Sequence, residues 1–398
     1  MKKKGQKNQE TIQKHSAFLL IKGSILKRTI ETIFGTSFKV GFMALLLAVA
    51  VSGCKKEDSQ NASATSEDQN SSDRRRNPSR DFEPINLVSD TSSYNPVTID
   101  SNLNNAWGIA FGANGALWIA SDHTGEAVIY NGQGQSLRSP VTIPFQGVAN
   151  GGSPTGIVHN NTLNFIIPSN GERAKFIFSA EDGTISAWSS GNAAVTVADR
   201  SGSDAVYKGL AMAHSGGSNY LYATNFKGAK IDVFDQSFNY VNMSFIDPGI
   251  PAGYAPFGIE NIDGKLYVSY AKQKAPDFKD DESGPGHGYI DIFNTDGSFV
   301  KRFASQGVLN SPWGMAEIPG RHDAVLVGNF GDGKINAFDS NGNSLGNLKD
   351  DGQDIVIEGL WAIKFANSGN NYRDHRKLYF TAGPDEEAHG LFGFLRQE

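Results

Sequence analysis

Ser311-Pro-Trp-Gly-Met-Ala316, followed by Val325-Leu-Val-Gly-Asn-Phe-Gly-Asp-Gly-Lys-Ile-Asn-Ala-Phe338, is the phrase on which the fold turns. A Trp-Gly step opens it, two apolar runs follow, an Asn- and Asp-containing loop interrupts the second, and an Ile-x-x-Phe closes it. The same order, with Pro-x-Gly or a similar step in place of Trp-Gly in some copies, starts at Asn105, Ser153, Tyr207, Ala255 and Gly359. Units of roughly 45–55 residues have the period of propeller blades and exceed that of most solenoid repeats. The chain therefore reads as all-β, a six-bladed β-propeller.

Within each unit the apolar residues alternate or run for a few positions, and they are rich in Ile, Val, Tyr and Phe, as half-buried strands require. Between Asn86 and Glu398 no stretch repeats apolar residues at helical spacing with a cap at each end. The sixth unit stops at Phe394 after three strands, with almost no chain left for a fourth. Ile85-Asn-Leu-Val-Ser-Asp90 is a lone strand-like run ahead of the first unit, and it is expected to complete the last blade and remove an open edge.

The segments outside the repeats divide the remainder. Residues 1–53 read as a signal peptide: Met43-Ala-Leu-Leu-Leu-Ala-Val-Ala50 is an apolar run too short to span a bilayer, and Val51-Ser-Gly-Cys54 follows. This resembles a bacterial lipobox, which implies cleavage before Cys54 and acylation of its sulfur, with acyl chains anchoring the protein to a membrane. The stretch before Lys39 is longer than such a signal needs, which points to translation starting downstream of Met1. Residues 54–84, with Arg74-Arg-Arg76 and few apolar side chains, read as a disordered tether, and 85–398 as the propeller. Lys56-Glu-Asp58 resembles the signal that sends some Gram-negative lipoproteins to the cell surface, so an outer-membrane or surface lipoprotein is expected. An ordinary charged tether would read the same way.

Residues 1–53 carry nine Lys/Arg against two Glu, so the rest of the chain holds twenty-seven Lys/Arg against forty Asp/Glu. An acidic body repels nucleic acid and anionic lipid, which leaves cationic or neutral partners. The single cysteine excludes a disulfide framework within the chain.

In a four-stranded blade the start of the inner strand and the loop between the second and third strands open on one face, here called the top. Trp107, Phe257, Trp313 and Trp361 occupy inner-strand entries, where they can stack a flat ligand at the channel mouth or fill the wedge between blades. The loops add Asp332 and His389 as ligand candidates, and Glu181, Asn225, Asn329 and Asp385 as oxygen donors suited to calcium or magnesium. Asn, Asp and Gly are also what β-turns demand at such positions. His389 beside Asp385 and Glu386, and His123 beside Asp122, are candidate acid–base couples or hydrogen-bonded turn residues. The insertion Gln273 to Gly286 lengthens the corresponding loop of the fourth blade. No nucleophile elbow, metalloprotease helix or phosphate loop is present.

The phrases Phe-Ser-Ala-Glu-Asp-Gly-Thr-Ile from Phe178, Leu-Tyr-Ala-Thr-Asn-Phe from Leu221, Gly-Tyr-Ala-Pro-Phe-Gly-Ile from Gly253 and Thr-Ala-Gly-Pro-Asp-Glu-Glu-Ala-His-Gly from Thr381 resemble those of a family of secreted bacterial β-propellers known only as conserved hypothetical proteins. That resemblance implies the fold and no activity. More distantly the chain is similar to NHL-repeat and gluconolactonase/senescence-marker propellers, whose channel holds a divalent metal, though no position here matches their ligand motifs. Two functions are carried forward: a lipid-anchored envelope module that binds a small molecule, glycan or protein at its top face, and a divalent-metal-dependent hydrolase or lactonase.

Overall fold

The computed structural model describes residues 82–146, 148–366 and 376–397, all within one compact unit, Ala64–Glu398. Cys54, the signal peptide and the tether lie outside the described residues. Five four-stranded antiparallel sheets and a sixth of five strands make the blades, with inner strands Ala106–Phe111, Pro154–His159, Tyr207–Ser215, Tyr254–Ile262, Pro312–Ile318 and Leu360–Phe365. Each inner strand packs on the next, and the sixth packs on the first, so the sheets form the closed ring of a β-propeller. The only helices among the described residues are the two 3-10 turns Ser92–Tyr94 and Ser201–Ser203.

Side-chain choice explains how the inner strands come so close. In the first five blades the inner strand carries a glycine where it approaches its neighbour, Gly108, Gly156, Gly209, Gly258 and Gly314; a Cβ on Gly258 would stand 2.1 Å from the carbonyl oxygen of Trp313, and one on Gly314 would stand 2.5 Å from that of Trp361. No other residue fits there without moving backbone. A hydroxyl on the second strand then joins neighbouring blades. Thr224 Oγ1 accepts from Gly209 N at 2.7 Å and donates to the carbonyl of Phe257 in the next blade at 2.7 Å. Thr381 Oγ1 likewise accepts from Ala362 N at 3.1 Å and donates to the carbonyl of Trp107, closing the sixth blade on the first. Ser179 and Ser269 accept from the matching glycine amides at 3.1 and 2.9 Å.

The N-terminal strand Phe82–Ser89 pairs antiparallel with Leu391–Gln397 as the outer strand of the sixth blade, and Thr98–Ile99 adds a short parallel strand outside it. The pairing starts three residues earlier than the apolar run Ile85-Asn-Leu-Val suggests, because Phe82 buries its ring against Leu378, Phe380 and Leu395. Asp90 fastens the join: His389 Nδ1 lies 2.9 Å from its Oδ2, and Gly390 N donates to its Oδ1 at 3.0 Å. Because this strand supplies both the last edge and the bridge between chain ends, removal of residues up to Asp90 should lower the melting temperature of the whole domain in a single transition. A truncated chain that melts like the intact one would refute the closure.

Candidate functional site

The aromatic entries meet at the axis rather than between neighbouring blades. Trp107 and Trp361 stack with centroids 3.5 Å apart and planes at 19°, while Trp313 stands edge-on to both at 6.1 and 5.9 Å. Phe257 and Phe330 pack on Trp361 at 5.8 and 4.0 Å. Trp107, Phe257 and Trp361 are at most 1% exposed and Trp313 is 9% exposed, so their ring faces are spent on one another. They form a plug across the channel, and a top-face ligand would meet what lies above it.

Above the plug sits Lys208. Its ammonium lies 5.1 Å over the Trp107 ring, pairs with Glu181 and reaches Asp280 at 3.1 Å. Burial pulls its pKa down, and the carboxylates of Glu181 and Asp280 more than offset that, so it stays charged well above the ordinary lysine range. Asp280 comes from the insertion of the fourth blade, whose backbone is pinned by Lys274 N donating to the Asp280 carbonyl and Glu282 N to that of Lys272. The insertion thus delivers a charge to a lysine of the third blade.

Beside this pair lies a second group built on Asn105. Asn105 holds φ at 46°, a left-handed conformation that asparagine adopts more readily than most residues. Trp361 Nε1 donates to its Oδ1 at 3.0 Å, and since indole can only donate, the amide orientation is fixed with Nδ2 toward the mouth. Asn105 Nδ2 then faces Glu387 Oε2 at 2.7 Å, Asp122 Oδ2 at 3.3 Å and His123 Nε2 at 3.4 Å. Gly383 must be a glycine here, because a Cβ on it would lie 2.2 Å from Asn105 Oδ1. Glu387 reaches inward from three consecutive left-handed residues, with φ of 57°, 52° and 69° at Asp385, Glu386 and Glu387. Strain of this kind, of order 1–3 kcal/mol per residue, concentrates at functional sites.

Burial chiefly, then repulsion from Glu181, raises the Asp122 carboxyl well above its usual range, against the opposing pull of Lys208. Burial also raises Glu387. Asp122 Oδ1 is buried without a hydrogen-bond partner, as is Trp107 Nε1.

The other sequence candidates sit differently. Asn225 is buried with its amide committed to its own loop: Oδ1 accepts from Val206 N and Gly228 N at 3.3 and 3.0 Å, and Nδ2 donates to Asp232 at 3.0 Å. Asn329 Nδ2 donates to the Val308 carbonyl at 2.8 Å and to Asp332 Oδ1 at 3.0 Å, and Asp332 also accepts from Lys334 N at 3.2 Å, which is turn chemistry. His389 pairs with Asp90 at 2.9 Å and lies 3.9 Å from Asp385. Of the four proposed oxygen donors only Glu181 joins the group around Lys208, and among the described residues no three His, Cys, Asp or Glu side chains are placed to hold a metal ion. Asn105, Asp280 and Glu387 escaped the sequence reading. The signals were present in Asn105, two residues before Trp107, and in the run of acids from Asp385.

Because ionised Asp122 is desolvated and repelled, Asp122→Asn should raise the melting temperature at pH 7. A raised folded-state pKa means that the native state takes up the proton first as pH falls, so wild-type stability recovers on acidification. Melting curves from neutral to mildly acidic pH should show the variant's advantage shrinking. An advantage constant with pH would contradict the assignment.

No family model matches the chain. An uncharacterised protein of Acanthamoeba polyphaga mimivirus is 36% identical over 331 residues, spanning 78% of this chain and 79% of that protein. A second from the same virus is 37% identical over 317 residues, spanning 74% and 81%. Similar solved structures include a gluconolactonase of Xanthomonas campestris (14% identity, TM-score 0.46, 75% of this chain and 87% of that one). Virginiamycin B lyase of Staphylococcus aureus is another (13% identity, TM-score 0.42, 80% and 99%). Likeness at this level carries no argument, and the propeller rests on its own sheets. The sequence relatives are viral, so neither a bacterial source nor secretion follows from them. The chain belongs to one family with these uncharacterised mimivirus proteins.

Proposed function

We propose that this protein is a binding module that takes a ligand at the top-face mouth of its propeller. The observation that carries this reading is the convergence, above a sealed aromatic plug, of side chains from five blades: Asn105 and Asp122, Glu181, Lys208, Asp280 and Glu387. Stability alone does not call for such a group. Asp122 and Glu387 are ionisable groups whose burial opposes their charge, and natural proteins retain arrangements of that kind where function needs them. The plug closes the channel beneath these side chains, so a small molecule, a sugar or a side chain of a protein partner would engage the mouth rather than enter the channel. The metal-dependent lactonase reading has less behind it, because Asn225 Oδ1 is taken by two backbone amides and no three His, Cys, Asp or Glu side chains among the described residues are placed to hold a metal ion.

Display at a membrane completes the proposal: Cys54 would carry the acyl anchor, with residues 55–81 as the tether and a bacterial outer membrane or cell surface as the place. Metabolic labelling with a palmitate analogue should mark the wild-type chain in a bacterial host and leave Cys54→Ala unmarked; equal labelling of the two would remove the anchor from the account.

The ligand site is tested by a thermal-shift screen of the full chain against a library of metabolites and oligosaccharides. Compounds that stabilise the wild type should lose their effect in Glu387→Gln and keep it in Lys364→Ala. Lys364 pairs with Glu260 at 3.2 Å at the opposite mouth, where a cavity of about 320 Å³ opens. Compounds that respond only to Lys364→Ala would move the site to that face and overturn the proposal.

A further inference from the structure

We infer that the top-face mouth is built for an organic cation bearing N–H donors, an ammonium or guanidinium group, held by Asp122 and Glu387. This rests on the top-face reading above and assigns its ligand class.

Acceptors outnumber donors at the mouth. Asn105 Nδ2 has two hydrogens and faces three acceptors, Asp122 Oδ2, Glu387 Oε2 and His123 Nε2. The His123 ring does not relieve the shortage. Asn104 Nδ2 donates to Asp90 Oδ2 and to the Ala388 carbonyl at 3.4 and 3.0 Å, so Asn104 Oδ1 is an acceptor, and His123 Nδ1, 3.1 Å away, is the donor to it. In the neutral ring Nε2 is then an acceptor too, and offers no hydrogen to Asp122, 3.5 Å distant. Lys208 does not relieve it either: two of its three ammonium hydrogens go to Glu181 and Asp280, and the ammonium makes no hydrogen bond to Asp122 Oδ1. Asp122 Oδ1 is left buried with no partner at all. Leaving such an oxygen unmet forfeits its hydration without return, and more so when the group is charged.

A proton taken up by Asp122 would supply one hydrogen; a ligand that fills the gap while Asp122 is ionised must bring its own. Charge then separates the candidates: one ammonium, Lys208, stands among the carboxylates of Asp122, Glu181, Asp280 and Glu387, whose fields act on one another. A neutral hydroxyl compound supplies donors without relieving that repulsion. A divalent metal would relieve it, but no three acidic or His side chains among the described residues are placed to ligate one, and the Lys208 ammonium occupies the middle of the group. A quaternary ammonium has no hydrogens to give, and the aromatic faces that could cage it are buried in the plug.

The test is calorimetric titration of the full chain at constant ionic strength with agmatine, tetramethylammonium, 1,4-butanediol and calcium chloride. Agmatine should bind with one site per chain. Tetramethylammonium and butanediol should bind at least about tenfold more weakly, the loss expected for one charge-assisted hydrogen bond. Asp122→Asn, a variant expected to fold more stably than the wild type, should weaken agmatine by about the same factor or more, as should Glu387→Gln. Asp351→Asn, an exposed acid outside the mouth, should change nothing. Equal binding of agmatine and tetramethylammonium, equal effects of Asp122→Asn and Asp351→Asn, or tighter binding of calcium at the same residues would each overturn the assignment. Library compounds without a cationic group that still depend on Glu387 would leave the top-face reading standing and remove this one.

Discussion

Six inner strands can share one axis only if their backbones nearly touch, and the rest of the molecule follows from how that approach is made. Glycines such as Gly258 and Gly314 let the carbonyl of the next strand come within what would be the volume of a Cβ. The hydroxyls of Thr224 and Thr381 then use the closeness, accepting from one blade and donating to its neighbour. A backbone amide and a carbonyl that the ladder leaves unpaired at the buried axis are thereby satisfied, which close packing alone would not achieve. With the strands fixed, their first side chains have nowhere to go but the axis. The tryptophans become a plug, and the plug becomes the floor of the mouth.

That floor also sets the chemistry above it. Trp361 donates its one hydrogen to Asn105, which orients an amide toward the mouth; Trp313 donates to the Lys208 carbonyl at 3.1 Å, which fixes the strand that carries the lysine. Apolar packing and polar placement are in this way one structure. The mouth itself runs against stability: its acids are buried or crowded, Glu387 is presented by a left-handed turn, and Asp122 keeps an oxygen unmet. Cost concentrated at one end of the axis, with a satisfied Glu260–Lys364 pair at the other, is why the top is taken as the working face.

Much of the fold was legible in the chain because it repeats. A Trp-Gly or Pro-x-Gly step reports a close approach, and a Leu-Tyr-x-Thr run reports a strand with an inter-blade hydroxyl, wherever they occur. The missing fourth strand of the last unit could be counted, and Ile85-Asn-Leu-Val matched it; only Phe82, whose ring is buried by tertiary packing, extended the pairing beyond what the local pattern shows. The site was less legible, since loop position says which face a residue is on and not where its side chain goes. Asn225, Asn329 and Asp332 were at the expected height, and their own turns claimed Asn225, Asp332 and the amide nitrogen of Asn329. Asn105 stood only as the start of the first repeat and is the hub, and Asp280 was hidden in an insertion with no repeat to align it. The tryptophans were placed at the right end of the strands, but whether they faced solvent, a neighbouring blade or one another depended on ring geometry that no linear pattern encodes.

The central claim is that the top-face mouth holds an excess of buried acceptors awaiting a cation with hydrogens to give. It is tested most directly by a crystal structure of the protein grown with agmatine. The account predicts a nitrogen of the ligand within hydrogen-bonding distance of Asp122 Oδ1 and of the Glu387 carboxylate, with the aromatic plug unmoved beneath it. Agmatine bound at the Glu260–Lys364 mouth, or Asp122 Oδ1 turned to a protein donor with the ligand absent, would contradict it.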